Sequence, residues 1–152
     1  MQKNKKNRLA VDVNIWISAL LKMEFRARID TVFDPEYHLI VSKELFVELE
    51  STVRKPHIQK RIDQTNYKEL VSLLKTDAEH VDVHSEVNVC RDPKDNYLLA
   101  LAKDGNADYL ITGDGGLLIL KEFEKTKIVS IKEFEIIAAI KRGLFSSKHD
   151  SV

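Results

Sequence analysis

The sequence predicts a single α/β domain built on a mainly parallel, doubly wound sheet of about five strands. Three observations predict it. Five short apolar runs alternate with segments of helical spacing. The connections between them are short, which implies right-handed crossovers in a parallel sheet. A chain of 152 residues with 43% apolar content also falls in the single-domain range and can bury a sizeable core without disulfides.

The first run, Leu9-Ala10-Val11, passes through Asp12 into the segment Val13-Asn14-Ile15-Trp16. The second, Tyr37 to Val41, and the fourth, Tyr109 to Thr112, are too short and continuous for amphipathic helices, and read as strands covered on both faces. Ser42 is placed to cap a helix whose buried stripe is Leu45, Phe46, Leu49 and Val53. Pro56 interrupts the stretch from Arg54 to Gln64, which is expected to be a helical excursion off the sheet. Tyr67, Leu70, Val71, Leu74 and Ala78 form the stripe of a later helix, and Val81-Asp82-Val83 is the expected third strand. In Asp92-Pro93-Lys94-Asp95 the order is N-cap, first-turn proline, then an acid at N3, with Gly105 placed to end that helix. Lys127-Ile128-Val129 is the fifth strand. Ser130 and Glu133 form a capping box that opens the last helix, and Gly143 stops it. The domain is thus expected over residues 8–143, with a basic N-terminal arm over 1–7 and a frayed polar tail over 144–152.

Composition narrows the functional classes. Basic and acidic residues balance at 24 each, so attraction to a polyanion has to be local. The single Cys90 forms neither an internal disulfide nor a zinc site, which suits a reducing cytoplasm. No signal peptide or membrane span is expected. His38, His57, His80, His84 and His149 show no metal or triad spacing.

In an open parallel sheet, ligands bind beyond the carboxyl ends of the strands. Four acids are expected there: Asp12 ends the first strand, Glu48 lies two turns into the helix after the second, Asp95 opens the helix after the third, and Asp114 follows the fourth. Each also has a bland reading. Glu48 shares its helix with Glu44 and Glu50, Asp95 fits a helix cap with Asp92, and Asp114 fits a turn. Asp12 is the hardest to explain away, because it interrupts an apolar strand-to-helix passage and an unpaired buried charge is costly. Gathered together, four carboxylates repel one another unless a cation neutralises them. An all-oxygen set suits Mg²⁺ or Mn²⁺ as the cofactor, and one or two such ions support in-line hydrolysis of a phosphodiester. Asn14 and Thr112 are neutral rim residues able to hold those acids by hydrogen bonds, and Asp92 is a weaker candidate. Arg54, Lys55, His57, Lys60 and Arg61 form the best basic cluster for a substrate, and Lys3, Lys5, Lys6 and Arg8 a second one.

The segments Val11 to Leu20, Ser42 to Glu48, Asp92 to Asn96 and Leu110 to Asp114, in that order and in that strand-helix setting, resemble the PIN domain family from about Arg8 to Gly143. The likeness is strongest to compact bacterial and archaeal toxin components of toxin-antitoxin pairs. It implies a flavodoxin-like three-layer α/β/α sandwich and a Mg²⁺- or Mn²⁺-dependent endoribonuclease acting on RNA. It also implies a homodimer and an antitoxin protein as partner. Asp12, Glu48, Asp95 and Asp114 match the family's acidic quartet, with Asn14 and Thr112 at its neutral polar positions. Val13 replaces a usual hydroxyl residue, and Gly115-Gly116 replaces a usual charged and aromatic stretch. Two readings compete with the ribonuclease: a PIN-like nucleic-acid-binding module that has lost catalysis, and a phosphatase using Asp12 as nucleophile, for which Asn14 stands where a second acid is wanted.

Overall fold

The computed structural model describes residues 6–143. The basic arm before Lys6 and the tail 144–152, His149 included, lie outside the described residues. The strands are β1 Asn7–Val11, β2 Tyr37–Val41, β3 Glu79–His80, β4 Tyr109–Ile111, β5 Glu122–Phe123 and β6 Thr126–Val129. They form one six-stranded sheet in the order β3-β2-β1-β4-β6-β5, parallel except for the antiparallel β5–β6 hairpin. The helices are α1 Val13–Leu21, α2 Phe25–Ile29, α3 Lys43–Val53, α4 Pro56–Gln59, α5 Gln64–Thr76, α6 Asn96–Asp104, α7 Gly115–Leu118 and α8 Ile131–Lys141.

Alternation along the central strands creates two cores. Leu9, Val11, Leu39, Val41, Tyr109 and Ile111 face one layer, with Trp16 of α1, Leu45 and Leu49 of α3, Leu70 of α5 and Phe134 of α8. Ala10, Ile40, Leu110 and Ile128 face the other, with Leu98, Leu99 and Leu101 of α6 and Leu117 of α7. Successive strand residues point to opposite faces, so continuous apolar runs bury both faces and a three-layer α/β/α sandwich results.

The chain departs from the expected pattern in four places. The third strand is Glu79–His80 rather than Val81 to Val83. Glu79 is held at this edge by Arg8 at 3.0 Å and His38 at 2.7 Å, and these two partners hold its carboxyl below the usual range. Val81 still donates its N–H to Val41 at 2.8 Å, but Val81, Val83 and Val87 then leave the sheet to pack on the second core. Secondly, the helix opening at Asp92 starts as a 3₁₀ turn, Pro93–Asp95, before α6. Thirdly, Ser42 occupies the N-cap of α3 without a side-chain cap bond. Finally, α2, α7 and β5 were carried by no clear sequence pattern. The capping box between Ser130 and Glu133 forms, with bonds of 2.8 and 3.0 Å, and α4 is the expected excursion after Pro56.

Candidate active site

Strand order reverses between β1 and β4: the chain moves outward from β1 through β2 to β3, then crosses back to β4 on the other side of β1. Such a switch point leaves a crevice at the carboxyl ends of the two strands. Asp12 and Thr112 stand on its two lips, one residue beyond the last paired positions Val11 and Ile111.

Asp12 is only 3% exposed. It caps α1, accepting from the Asn14 N–H at 3.1 Å, and its other oxygen accepts from the Thr112 hydroxyl at 2.7 Å. Burial raises its pKa, those two hydrogen bonds oppose the rise, and the charge of Asp114 adds to it. The same Thr112 oxygen accepts from the Asp114 N–H at 3.0 Å, so one hydroxyl ties the first acid to the last. Asp114 in turn caps α7, accepting from the Leu117 N–H at 3.0 Å. Gly116 keeps this side open: a Cβ there would stand 3.1 Å from an Asp114 carboxylate oxygen and 3.7 Å from the Arg91 guanidinium.

Asp95 records the convergence. Its carboxyl is pushed up to about 6, first by burial and then by the charges of Asp114, Asp12, Asp92 and Glu48, in that order. These residues come from four separate stretches of chain, so the fold brings all four acids of the expected quartet, and Asp92, into one electrostatic neighbourhood. Asp92 itself accepts from the Lys94 N–H at 3.1 Å and caps the 3₁₀ turn. The Asn14 side chain is exposed, and its contribution to Asp12 is its backbone N–H.

Glu48 accepts a hydrogen bond from the Tyr97 hydroxyl, across 49 positions of sequence. Burial, then that hydrogen bond and the charges of Glu48, Asp12 and Asp95, hold the phenol far above its ordinary pKa, so it stays a donor. Tyr97 carried no functional signal in the sequence. One position after Asn96 at the start of α6, it reads as an ordinary stripe residue, and only the fold reveals its partner.

The donor chemistry fits a hard divalent cation: the neighbourhood holds carboxylates and a hydroxyl, and its like charges already raise Asp95 and Asp12. Among the described residues, no three acids, histidines or cysteines are grouped closely enough to ligate an ion as they stand. Three of the four acids instead have a protein partner: Asp12 has Thr112, Asp114 has Leu117 and Glu48 has Tyr97. Ligation would therefore draw these carboxylates off present hydrogen bonds by side-chain rotation.

Of the basic cluster, Arg54 is paired with Glu50 at 2.8 Å on the face of α3, and Lys60 and Arg61 are exposed between α4 and α5. Lys55 lines a groove that also contains Glu48, and Lys43 and Lys94 join it there. Arg8 is committed elsewhere: it bonds Asp108, Gly105 and Glu79 near the opposite, amino-terminal edge of β1.

No helix among the described residues is long and apolar enough to cross a membrane. No curated protein matches the chain in sequence. The family model for the PIN domain matches residues 8–115, a span that takes in Asp12, Glu48, Asp95 and Asp114 and more than two thirds of the chain. The acids at the switch point, the parallel sheet that presents them and this match agree: the chain belongs to the PIN domain family.

Proposed function

We propose that the protein is a metal-dependent endoribonuclease that hydrolyses phosphodiester bonds of RNA, with Mg²⁺ or Mn²⁺ held by Asp12, Glu48, Asp95 and Asp114. The observation that carries this reading is buried Asp12 at the switch point, tied through Thr112 to Asp114, beside Asp95, whose pKa is raised first by burial and then by the charges of Asp114, Asp12, Asp92 and Glu48. Such a neighbourhood is stabilised by bound positive charge. When bound, the cation supplies Lewis-acid stabilisation of the phosphoryl oxygens and a water of lowered pKa. The chain's own residues orient the acids: Thr112 fixes Asp12 and the Asp114 backbone, Tyr97 fixes Glu48, and Asp92 shapes the turn that presents Asp95.

The preference for RNA rests on the family, because in-line hydrolysis makes no use of the 2′-hydroxyl. The same resemblance supports a cytoplasmic homodimer acting as the toxin of a toxin-antitoxin pair, with an antitoxin protein as its inhibitor. Induced expression in bacteria tests that part: growth arrest that Asp12→Asn abolishes supports it, and unimpaired growth with the wild-type chain removes it.

The decisive assay for the activity compares wild type and Asp12→Asn on single-stranded RNA after EDTA treatment and metal add-back. Cleavage that depends on Mg²⁺ or Mn²⁺ and is lost in a folded Asp12→Asn variant supports the mechanism. Metal-independent cleavage, or full activity in the variant, removes it. Binding without turnover under every metal tested selects the catalytically silent module instead.

A further inference from the structure

A groove of about 550 Å³ runs along the outer face of α3 and meets the start of α6. Its walls carry Lys43, Lys55 and Lys94 together with two acids, Glu44 and Glu48, and Val47 and Tyr97 lie between them. Three features single it out. The lysines come from three different places, the start of α3, the residue just before α4, and the 3₁₀ turn before α6, yet they surround one concavity. All three are exposed, and none forms an ion pair among the described residues. Val47 is 68% exposed on the same face, an apolar surface between cations.

The groove shares one residue, Glu48, with the acidic neighbourhood. Glu48 lines it and is bonded to Tyr97, which lines it too. Lysines at this place offset the repulsion that the carboxylates exert on a polyanion.

We propose that this groove is the track for a single strand of nucleic acid, its phosphates contacting Lys43, Lys55 and Lys94 and an unstacked base lying over Val47. The proposal rests on the nuclease reading above and names its substrate path. A single strand fits better than a duplex because its bases are free to cover apolar surface, whereas a duplex presents mainly phosphates to a side groove. The size is that of a ligand cleft. The occupant is argued from charge complementarity: three lysines without an ion pair among the described residues outnumber Glu44 and Glu48 in the groove and face a chain of regularly spaced anions. Arg54, Lys60 and Arg61, although close in sequence, do not line the groove.

The test is fluorescence anisotropy on the full chain in EDTA, which prevents metal-dependent turnover, with a labelled single-stranded RNA and a duplex of equal length across a salt series. Each phosphate contact contributes roughly 0.7 to the log–log salt slope for a single strand. The combined variant K43Q, K55Q, K94Q is therefore expected to lower the slope by about 2, while the control variant R54Q, K60Q, R61Q leaves it nearly unchanged. The single strand is expected to bind more tightly than the duplex. An unchanged slope in the groove variant, an equal loss in the control, tighter duplex binding, or no binding at all would each overturn the proposal. The two readings fail separately. Metal-dependent cleavage with an unchanged slope leaves the nuclease and removes the track, and a reduced slope without cleavage under any metal leaves the track and removes the nuclease.

Discussion

At Asp95, burial and four like charges act in the same direction, and its carboxyl is pushed up to about 6 from an ordinary value of 3.8. Between those values the folded protein holds a proton that the unfolded chain has released, so stability falls as pH rises through that interval. In cation-free buffer at pH 7.5, Asp95→Asn is accordingly expected to melt at a higher temperature than wild type. Near pH 4 the difference should nearly vanish. Equal melting curves at pH 7.5 would mean that the fold does not feel the crowded charge. Tyr97 offers a second probe. Tyr97→Phe removes the donor to Glu48 while keeping the ring, and is expected to weaken Mn²⁺ activation about 10- to 100-fold with the melting temperature nearly kept; metal titration of activity beside thermal melts checks it. Asp12 was legible in the sequence because a carboxylate inside an apolar run demands a reason. Tyr97, Lys43 and Lys94 were not, since their meaning lies in partners and cavities assembled from distant segments.

Among the elements, α6 shows how a correct expectation can rest on an incomplete reason. Gly105 does end this helix, but at φ −92, while the following Asn106 takes the left-handed conformation at φ 54. The glycine is needed for close approach: a Cβ would stand 2.4 Å from Ile40 Cδ1 and 3.0 Å from the Leu101 carbonyl oxygen. Ile40 is fully buried, so it has little room to yield. Gly105→Ala is expected to cost about 1–3 kcal/mol by overpacking, measured by urea denaturation. A neutral result would show that Ile40 can turn aside. Near the same helix end, Asp104 accepts from the His84 and Ser85 N–H groups at 2.7 and 2.9 Å and from the Ser85 hydroxyl. Burial would raise this carboxyl, yet those hydrogen bonds bring it down to about 2. They anchor the long connection that took the place of the expected third strand. The sequence pattern read Val81 to Val83 as a strand, but periodicity alone does not distinguish a strand from a loop whose valines pack on a core. The capping box of α8 was readable because both of its partners lie within four residues.

For the molecule as a whole, the family match stops at residue 115, but the sheet does not. β6 pairs with β4 along Tyr109 to Ile111, Phe134 is buried in the first core and Ile128 in the second. A chain ended after Gly115 would expose the full edge of β4 together with both apolar layers. Such a truncation is expected to be insoluble or to lack a cooperative melt, whereas the full chain melts cooperatively. A cooperative transition in the shorter chain would show that the last strands are dispensable. The central strands and their acids were legible because they combine local pattern with topology. The β5–β6 hairpin escaped notice because β5 contributes only Glu122 and Phe123.

The single cysteine of the protein lies within reach of that same concentration of charge. Burial raises the pKa of Cys90, and Asp95, Asp114 and Asp92 raise it further. A cation settling among those acids cancels part of their field, so more of the thiol ionises. Alkylation by iodoacetamide should then quicken as Mn²⁺ is added, giving a readout of occupancy that needs neither substrate nor turnover.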